Sequence, residues 1–210
     1  MNCAFLPSSI SAMRYNICER LNAARPLHPL TAPLADTTAS LKSFLEPRQT
    51  LASFSPDALV VLSESVRHAV ATRSDNIRTP HLFMGLLSFP DSGVIAWGQS
   101  LKADLNELSV QFQELFHQDK TPEHTKLFLH REFLSDQVIE LIRDAKDRSS
   151  IHARKTITPM DLLISLLTDS DSVVIDCFQR IGITAAKLTE YAVLAECRFS
   201  VSDDSGMDAA

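Results

Sequence analysis

A chain of 210 residues, 45% of them hydrophobic and 22% charged, is long enough to bury a core and too apolar to be disordered throughout. Its net charge of -6, with acidic and basic residues interspersed, supplies no polyanion-binding field, so nucleic acid is not an expected partner. No uninterrupted apolar run approaches the roughly 20 residues a bilayer-spanning helix needs, which makes a soluble chain without membrane partners the expectation.

Residues 1–50 differ in kind from the rest of the chain. Pro7, Pro26, Pro29, Pro33 and Pro47 cut them into pieces too short for a stable helix, which predicts a disordered leader. Arg14, Arg20 and Arg25 among Ser, Thr and Ala give it a faint transit-peptide character, which Glu19 and Asp36 weaken; Leu41, Phe44 and Leu45 form a short amphipathic piece that could dock on a surface.

From residue 51 the pattern becomes helical. Ser55-Pro56-Asp57 supplies a hydroxyl N-cap and a proline at the first helical position, where the missing N–H costs nothing. Leu59, Leu62, Val66, Ala69 and Val70 follow at helical spacing, and Thr72 to Asn76 is a polar stop. Thr79-Pro80 starts a second helix through Leu82, Phe83, Leu86 and Leu87, apolar nearly all round and therefore expected to be buried. A short third helix carries Val94, Ile95 and Trp97, and the capping-box pattern Asp104-x-x-Glu107 starts a fourth with Leu105, Leu108, Phe112, Leu115 and Phe116.

The unit then recurs. Phe54 to Phe116 is echoed without a gap by Leu134 to Glu196, 80 positions later: Ser55 falls on Ser135, Ile77 on Ile157, Leu82 on Leu162, Asp91 on Asp171 and Leu108 on Leu188. The matches are mostly apolar or capping residues, so a helical scaffold has been kept. The two Thr-Pro pairs, Thr79-Pro80 and Thr158-Pro159, stand only 79 apart, which predicts a turn one residue looser in the second copy. Residues 51–117 form repeat 1, 118–130 a polar connector, 131–199 repeat 2 and 200–210 a Ser/Asp-rich tail. No alternating β-branched run bounded by turn residues occurs, and the fold class is all-α: two four-helix repeats in tandem.

Each repeat resembles the Clp N-terminal repeat, the module that precedes the ATPase rings of ClpA/ClpC-type AAA+ unfoldases. The residues that carry the resemblance are Phe54-Ser55-Pro56-Asp57-Ala58, Ile77-Arg78-Thr79-Pro80-His81-Leu82-Phe83-Met84-Gly85-Leu86-Leu87 and Leu101-Lys102-Ala103-Asp104-Leu105, with Leu162 to Leu167 and Ile181-Gly182-Ile183 in the second copy. The resemblance implies a tandem pair packed as one pseudo-twofold domain, and a module that recruits adaptors and unfolded or tagged substrates. No Gly-x-x-x-x-Gly-Lys-Ser/Thr loop occurs in the sequence, so no phosphate cradle is present and no nucleotide cofactor is expected. The expected function is therefore non-enzymatic: an accessory or adaptor factor of a Clp-type chaperone or protease, or alternatively a structural subunit that stabilises a Clp peptidase core, as in plastids.

Candidate sites arise from both readings. In one branch of the family the start-of-helix hydroxyls and the glutamates of a Thr-Glu-His motif bind phosphorylated arginine. The hydroxyls are kept as Ser55 and Ser135, but Pro80 and Met160 replace the carboxylates, which removes the charge-assisted contact and leaves N-capping as the simpler role. Phe89 and Trp97 flank the turn into the third helix and are candidates for a partner patch, with core packing as the competing role of Trp97. His81 and Asp161 occupy equivalent positions, where structural use is expected over an acid/base pair. His117, His124 and His130 lack metal-ligand spacing, so no metal is expected. Cys3, Cys18, Cys177 and Cys197 have no CxxC pairing, and Cys177 and Cys197 read as small packing residues; a reducing compartment fits, the cytoplasm or alternatively the plastid stroma.

Overall fold

The computed structural model describes residues 53–118, Leu127 and 131–200. The leader, most of the connector and the tail lie outside the described residues, and so do the expectations placed on them.

Eight α-helices make up the two repeats. In the first they are α1 (Pro56–Ala71), α2 (Thr79–Ser88), α3 (Ser92–Leu101) and α4 (Leu105–Leu115). In the second, a 3-10 turn (Arg131–Phe133) precedes α5 (Asp136–Ile151), α6 (Pro159–Thr168), α7 (Val173–Arg180) and α8 (Ala185–Ser200). The helix starts are chemically marked: the Ser55 hydroxyl accepts from the Ala58 N–H at 3.1 Å and the Ser135 hydroxyl from the Val138 N–H at 3.3 Å, with Pro56 in the first turn of α1. The Asp104 carboxylate caps α4 by accepting from the N–H groups of Asn106 and Glu107.

The turn between the first two helices of each repeat corrects one expectation. It is the same length in both copies: Arg73 and Ala153 take the left-handed φ of 56° and 54°, and the N-caps are Arg78 and Thr158, 80 residues apart. The Thr-Pro pairs are not equivalent. Thr158 is itself the N-cap with Pro159 behind it, whereas Thr79 is already the first residue of α2, so that proline sits one place further along in repeat 1. Both places lie in the first turn, whose N–H groups have no helical partner, and proline is tolerated at either.

Helices α2 and α6 form the centre, buried from Thr79 to Leu87 and from Pro159 to Leu167. Each is flanked by the first and fourth helix of its own repeat, and α8 also lies across α3 of the other. The stripe that α1 buries is rotated from the expected one. Ala58, Val61, Leu62, Ser65 and Ala69 face α2, Leu59 and Val66 are half-buried, and Val70 is exposed. The cause is close approach: a Cβ at Gly85 of α2 would lie 2.6 Å from the Val61 carbonyl oxygen, so small residues line the contact.

The repeats interlock through their backbones. Ser55 N–H donates to Ile157 O (2.9 Å) and Ile157 N–H to Ser53 O (2.5 Å); in the equivalent places Ser135 N–H donates to Ile77 O (2.9 Å) and Ile77 N–H to Phe133 O (2.5 Å). Each repeat thus pairs the segment leading into its first helix with the segment leading into the second helix of the other.

Side chains break the symmetry where they meet. Trp97, Phe112 and Phe116 are answered in repeat 2 by Cys177, Ala192 and Glu196, while Phe178 answers Gly98. Phe83 packs among them, edge-on to Trp97 (6.0 Å between centroids) and Phe178 (5.9 Å), with Phe112 at 4.9 Å. Such pairs are worth about 0.5–1.5 kcal/mol each beyond the area they bury. Leu127 of the connector is also buried in the core, which the polar reading of that segment did not anticipate.

Candidate partner-binding surface

Of the residues singled out from sequence, Ser55 and Ser135 are half-buried and their hydroxyls are engaged by the helix N–H groups they cap. Positions 80 and 160 carry no acid. Pro80 is buried, and Met160 packs over Gly93, where an added Cβ would lie 2.5 Å from the Met160 Cγ. The hydroxyl-plus-carboxylate arrangement that the family resemblance implied is absent from both places.

Trp97 belongs to the core. It is fully buried, and its indole N–H donates to the Leu188 carbonyl at 3.2 Å, so the partner-contact role considered for it is ruled out while the domain is folded. Phe89, by contrast, is 52% exposed at the C-terminal end of α2.

His81 and Asp161 each close the start of their own helix. His81 Nδ1 accepts the Arg78 N–H at 2.9 Å, which leaves the proton on Nε2, 3.0 Å from the Thr72 hydroxyl; that hydroxyl donates onward to the His68 carbonyl at 2.8 Å. Burial, reinforced by Arg78 and His68, pushes His81 down to about 3, so the ring is neutral at physiological pH. In repeat 2 the Asp161 carboxylate accepts from the Thr158 N–H (2.9 Å) and hydroxyl (2.8 Å).

Asp161 also anchors a cluster that sequence reasoning missed. Arg154 pairs with Asp161 and, at 2.8 Å, with Glu196; Arg148 pairs with Glu196 and lies 3.5 Å from Asp161. The ends of α5, α6 and α8 are thereby joined by two guanidiniums and two carboxylates. The corresponding residues of repeat 1 are His68, Ser74, His81 and Phe116, which make no such cluster. Its signal in the sequence was only a set of unlike residues at matching positions.

The thiol of Cys177 is buried, and burial pushes it up to about 12, so it packs as a thiol rather than a nucleophile. Cys197 is exposed, not a packing residue, because the face of α8 that meets the core is set by Leu188, Ala192 and Ala195. Among the described residues no group of His, Cys, Asp or Glu could hold a metal; His124 and His130 lie outside them.

Around Phe89 the structure gathers residues that sequence reasoning did not group. Asp91 caps α3 by accepting from the Val94 N–H at 2.8 Å, and Ile95, one turn further and on the same face, is 41% exposed. Burial, helped by the nearby Asp57 at the start of α1, raises the Asp91 carboxyl above its ordinary value while hydrogen bonds from Val94 and Gly93 oppose the rise.

Two interlocked four-helix repeats about a pseudo-twofold axis, with Phe89 exposed beside the Asp91 cap, define a double-repeat helical domain. No protein-family model matches the chain, and no curated protein matches it in sequence. Solved structures do match. The N-terminal domain of the caseinolytic protease associated chaperone ClpD from Arabidopsis thaliana is similar at a TM-score of 0.54 and 17% identity, over 70% of this chain and 96% of that one. The Hsp104 N-terminal domain from Candida albicans gives 0.55 and 11% over 67% and 89%, and the N-domain of ClpV from Vibrio cholerae 0.51 and 14% over 80% and 94%. The fold is that of the Clp N-terminal domains.

Proposed function

We propose that this protein is a non-enzymatic protein-binding module serving a Clp-type ATP-dependent chaperone or protease as an accessory or adaptor factor, in the cytoplasm or alternatively the plastid stroma. The observation that carries this reading is the extent of the structural likeness: both repeats take part, and 89–96% of each compared N-terminal domain is covered. ATP hydrolysis in this reading is a partner's, since these residues contain no phosphate-binding loop. The test is capture of the tagged full chain from its native lysate with and without ATP, followed by quantitative mass spectrometry and by the ATPase rate of any Clp unfoldase recovered. Recovery of an unfoldase whose rate changes on addition of the chain supports the adaptor role. Recovery of a peptidase core alone, independent of ATP, replaces it with the ring-stabilising role. Recovery of neither overturns both.

A further inference from the structure

The duplication provides an internal control for what the scaffold requires. The turn from α2 to α3 in repeat 1 is Phe89-Pro90-Asp91-Ser92; in repeat 2 the same connection is Asp169-Ser170-Asp171-Ser172. Of the two acids at this corner only Asp91 recurs, as Asp171. Phe89 is replaced by Asp169, and Asp57 by Gln137; Ile95 is replaced by Ile175, which is buried while Ile95 is exposed. A helical hairpin of this kind therefore forms without an exposed aromatic, an exposed Ile or the Asp57 carboxylate at this corner, and folding does not account for them.

We propose that Phe89, Ile95, Asp57 and Asp91 form a docking shelf for a basic segment of a partner protein, an Arg or Lys flanked by bulky apolar side chains. This deepens the protein-binding reading above and rests on it. Charge complementarity selects the occupant. Among the described residues neither Asp57 nor Asp91 is in an ion pair, although the chain forms pairs readily elsewhere, as in Arg67 with Glu64 and Arg78 with Asp75. Two unneutralised carboxylates beside exposed apolar surface repel an acidic ligand, would be desolvated without compensation by a purely apolar one, and favour a cation whose neighbours cover Phe89 and Ile95. The half-buried Asp91 gains most, because a guanidinium or ammonium supplies the counter-charge that its surroundings withhold.

Binding of a fluorescein-labelled peptide Gly-Ser-Arg-Phe-Leu-Arg-Ser-Gly to the purified full chain, followed by anisotropy, tests the shelf without any Clp component. Its counterpart with Glu in place of both Arg residues is the control. The Arg peptide should bind and the Glu peptide should not. Phe89→Asp, which installs the repeat 2 residue, should weaken the Arg peptide by at least about tenfold. Asp57→Gln and Asp91→Asn should each weaken it by about threefold to tenfold and flatten its salt dependence, and Asn can still cap α3. No binding of the Arg peptide, equal binding of the Glu peptide, or an unchanged affinity in both Phe89→Asp and Asp57→Gln would overturn the proposal. Since the assay omits Clp partners, peptide binding with no Clp capture defeats only the Clp-accessory reading, and Clp capture with no peptide binding defeats only the shelf.

Discussion

Gly85→Ala turns the close approach of α1 and α2 into a question of sign. Replacing a glycine in a helix interior by alanine stabilises by about 1 kcal/mol from backbone conformational preference alone. Here the new methyl would stand 2.6 Å from the Val61 carbonyl oxygen and 3.1 Å from the Ser65 N–H nitrogen, both backbone atoms of a packed helix, and 2.7 Å from the Ser65 hydroxyl. Neither backbone atom can move without α1 moving, and overpacking of this kind costs about 1–3 kcal/mol, occasionally more. The contact is the tightest that any glycine of α2 or α3 makes with backbone, so the upper end of that range applies. A net loss of about 2 kcal/mol results, equivalent to about 4–8 °C in Tm for a domain of this size. The chain has a single tryptophan, and Trp97 is buried in the core, so its fluorescence reports the transition in urea without any label. Ser65→Ala in the Gly85→Ala background should recover only part of the loss, because the carbonyl of Val61 remains. A Gly85→Ala protein as stable as the parent, or more so, would refute the argument from close approach.

Other outcomes rest on the same geometry. Because His81 sits at about 3 in the folded chain against an ordinary 6.5, the unfolded chain takes up the proton first; stability is fully present above pH 6.5 and falls by up to about 1.4 kcal/mol per pH unit until about pH 3. Urea midpoints at pH 7 and pH 5 should show this decline, and His81→Asn, which keeps an acceptor for the Arg78 N–H, should lessen it; an equal pH dependence in the variant would discard the assignment. Asp161→Asn leaves Arg148 and Arg154 sharing one carboxylate, and with both guanidinium side chains about a quarter exposed the loss should be about 2–3 kcal/mol in denaturation, a loss under about 1 kcal/mol contradicting a structural role for the cluster. Ser55→Ala and Ser135→Ala should each cost about 1 kcal/mol, read as equal shifts in unfolding midpoint, since the two hydroxyls do the same work.

What could be read from the sequence was what is local or periodic. The Ser55 and Ser135 caps, the apolar runs of α2 and α6 and the register between copies depend on residues a few positions apart, and the structure places them where the spacing put them. The Thr-Pro pairs misled because a first helical turn accepts proline at more than one place, so the motif carries less positional information than the leucines behind it. The Arg148 and Arg154 pairs with Glu196 span 48 and 42 residues and have no periodic signature. The rotation of α1 was illegible for a related reason: Val61 and Ser65 face inward only because a glycine on another helix comes within reach. At the surface, Phe89 and Trp97 looked alike as aromatics near one turn, and the difference lies in α8, which crosses α3 and covers the indole through the Leu188 carbonyl while leaving Phe89 bare.

The exchanged hydrogen bonds between the repeats have the form of a subunit contact. Residue pairs Ser55 with Ile157 and Ser135 with Ile77 are the same pair taken twice with the copies swapped, which is the isologous pattern of a C2 homodimer. In a detached repeat the N–H of Ser55 and the carbonyl of Ile77 would each face water instead of the other copy. The chain is therefore a dimer made continuous: the connector turns what would be a concentration-dependent association into an intramolecular one. Covalent linkage also freed the halves from having to be identical, and that freedom is what lets one corner carry Phe89 and the other carry Asp169.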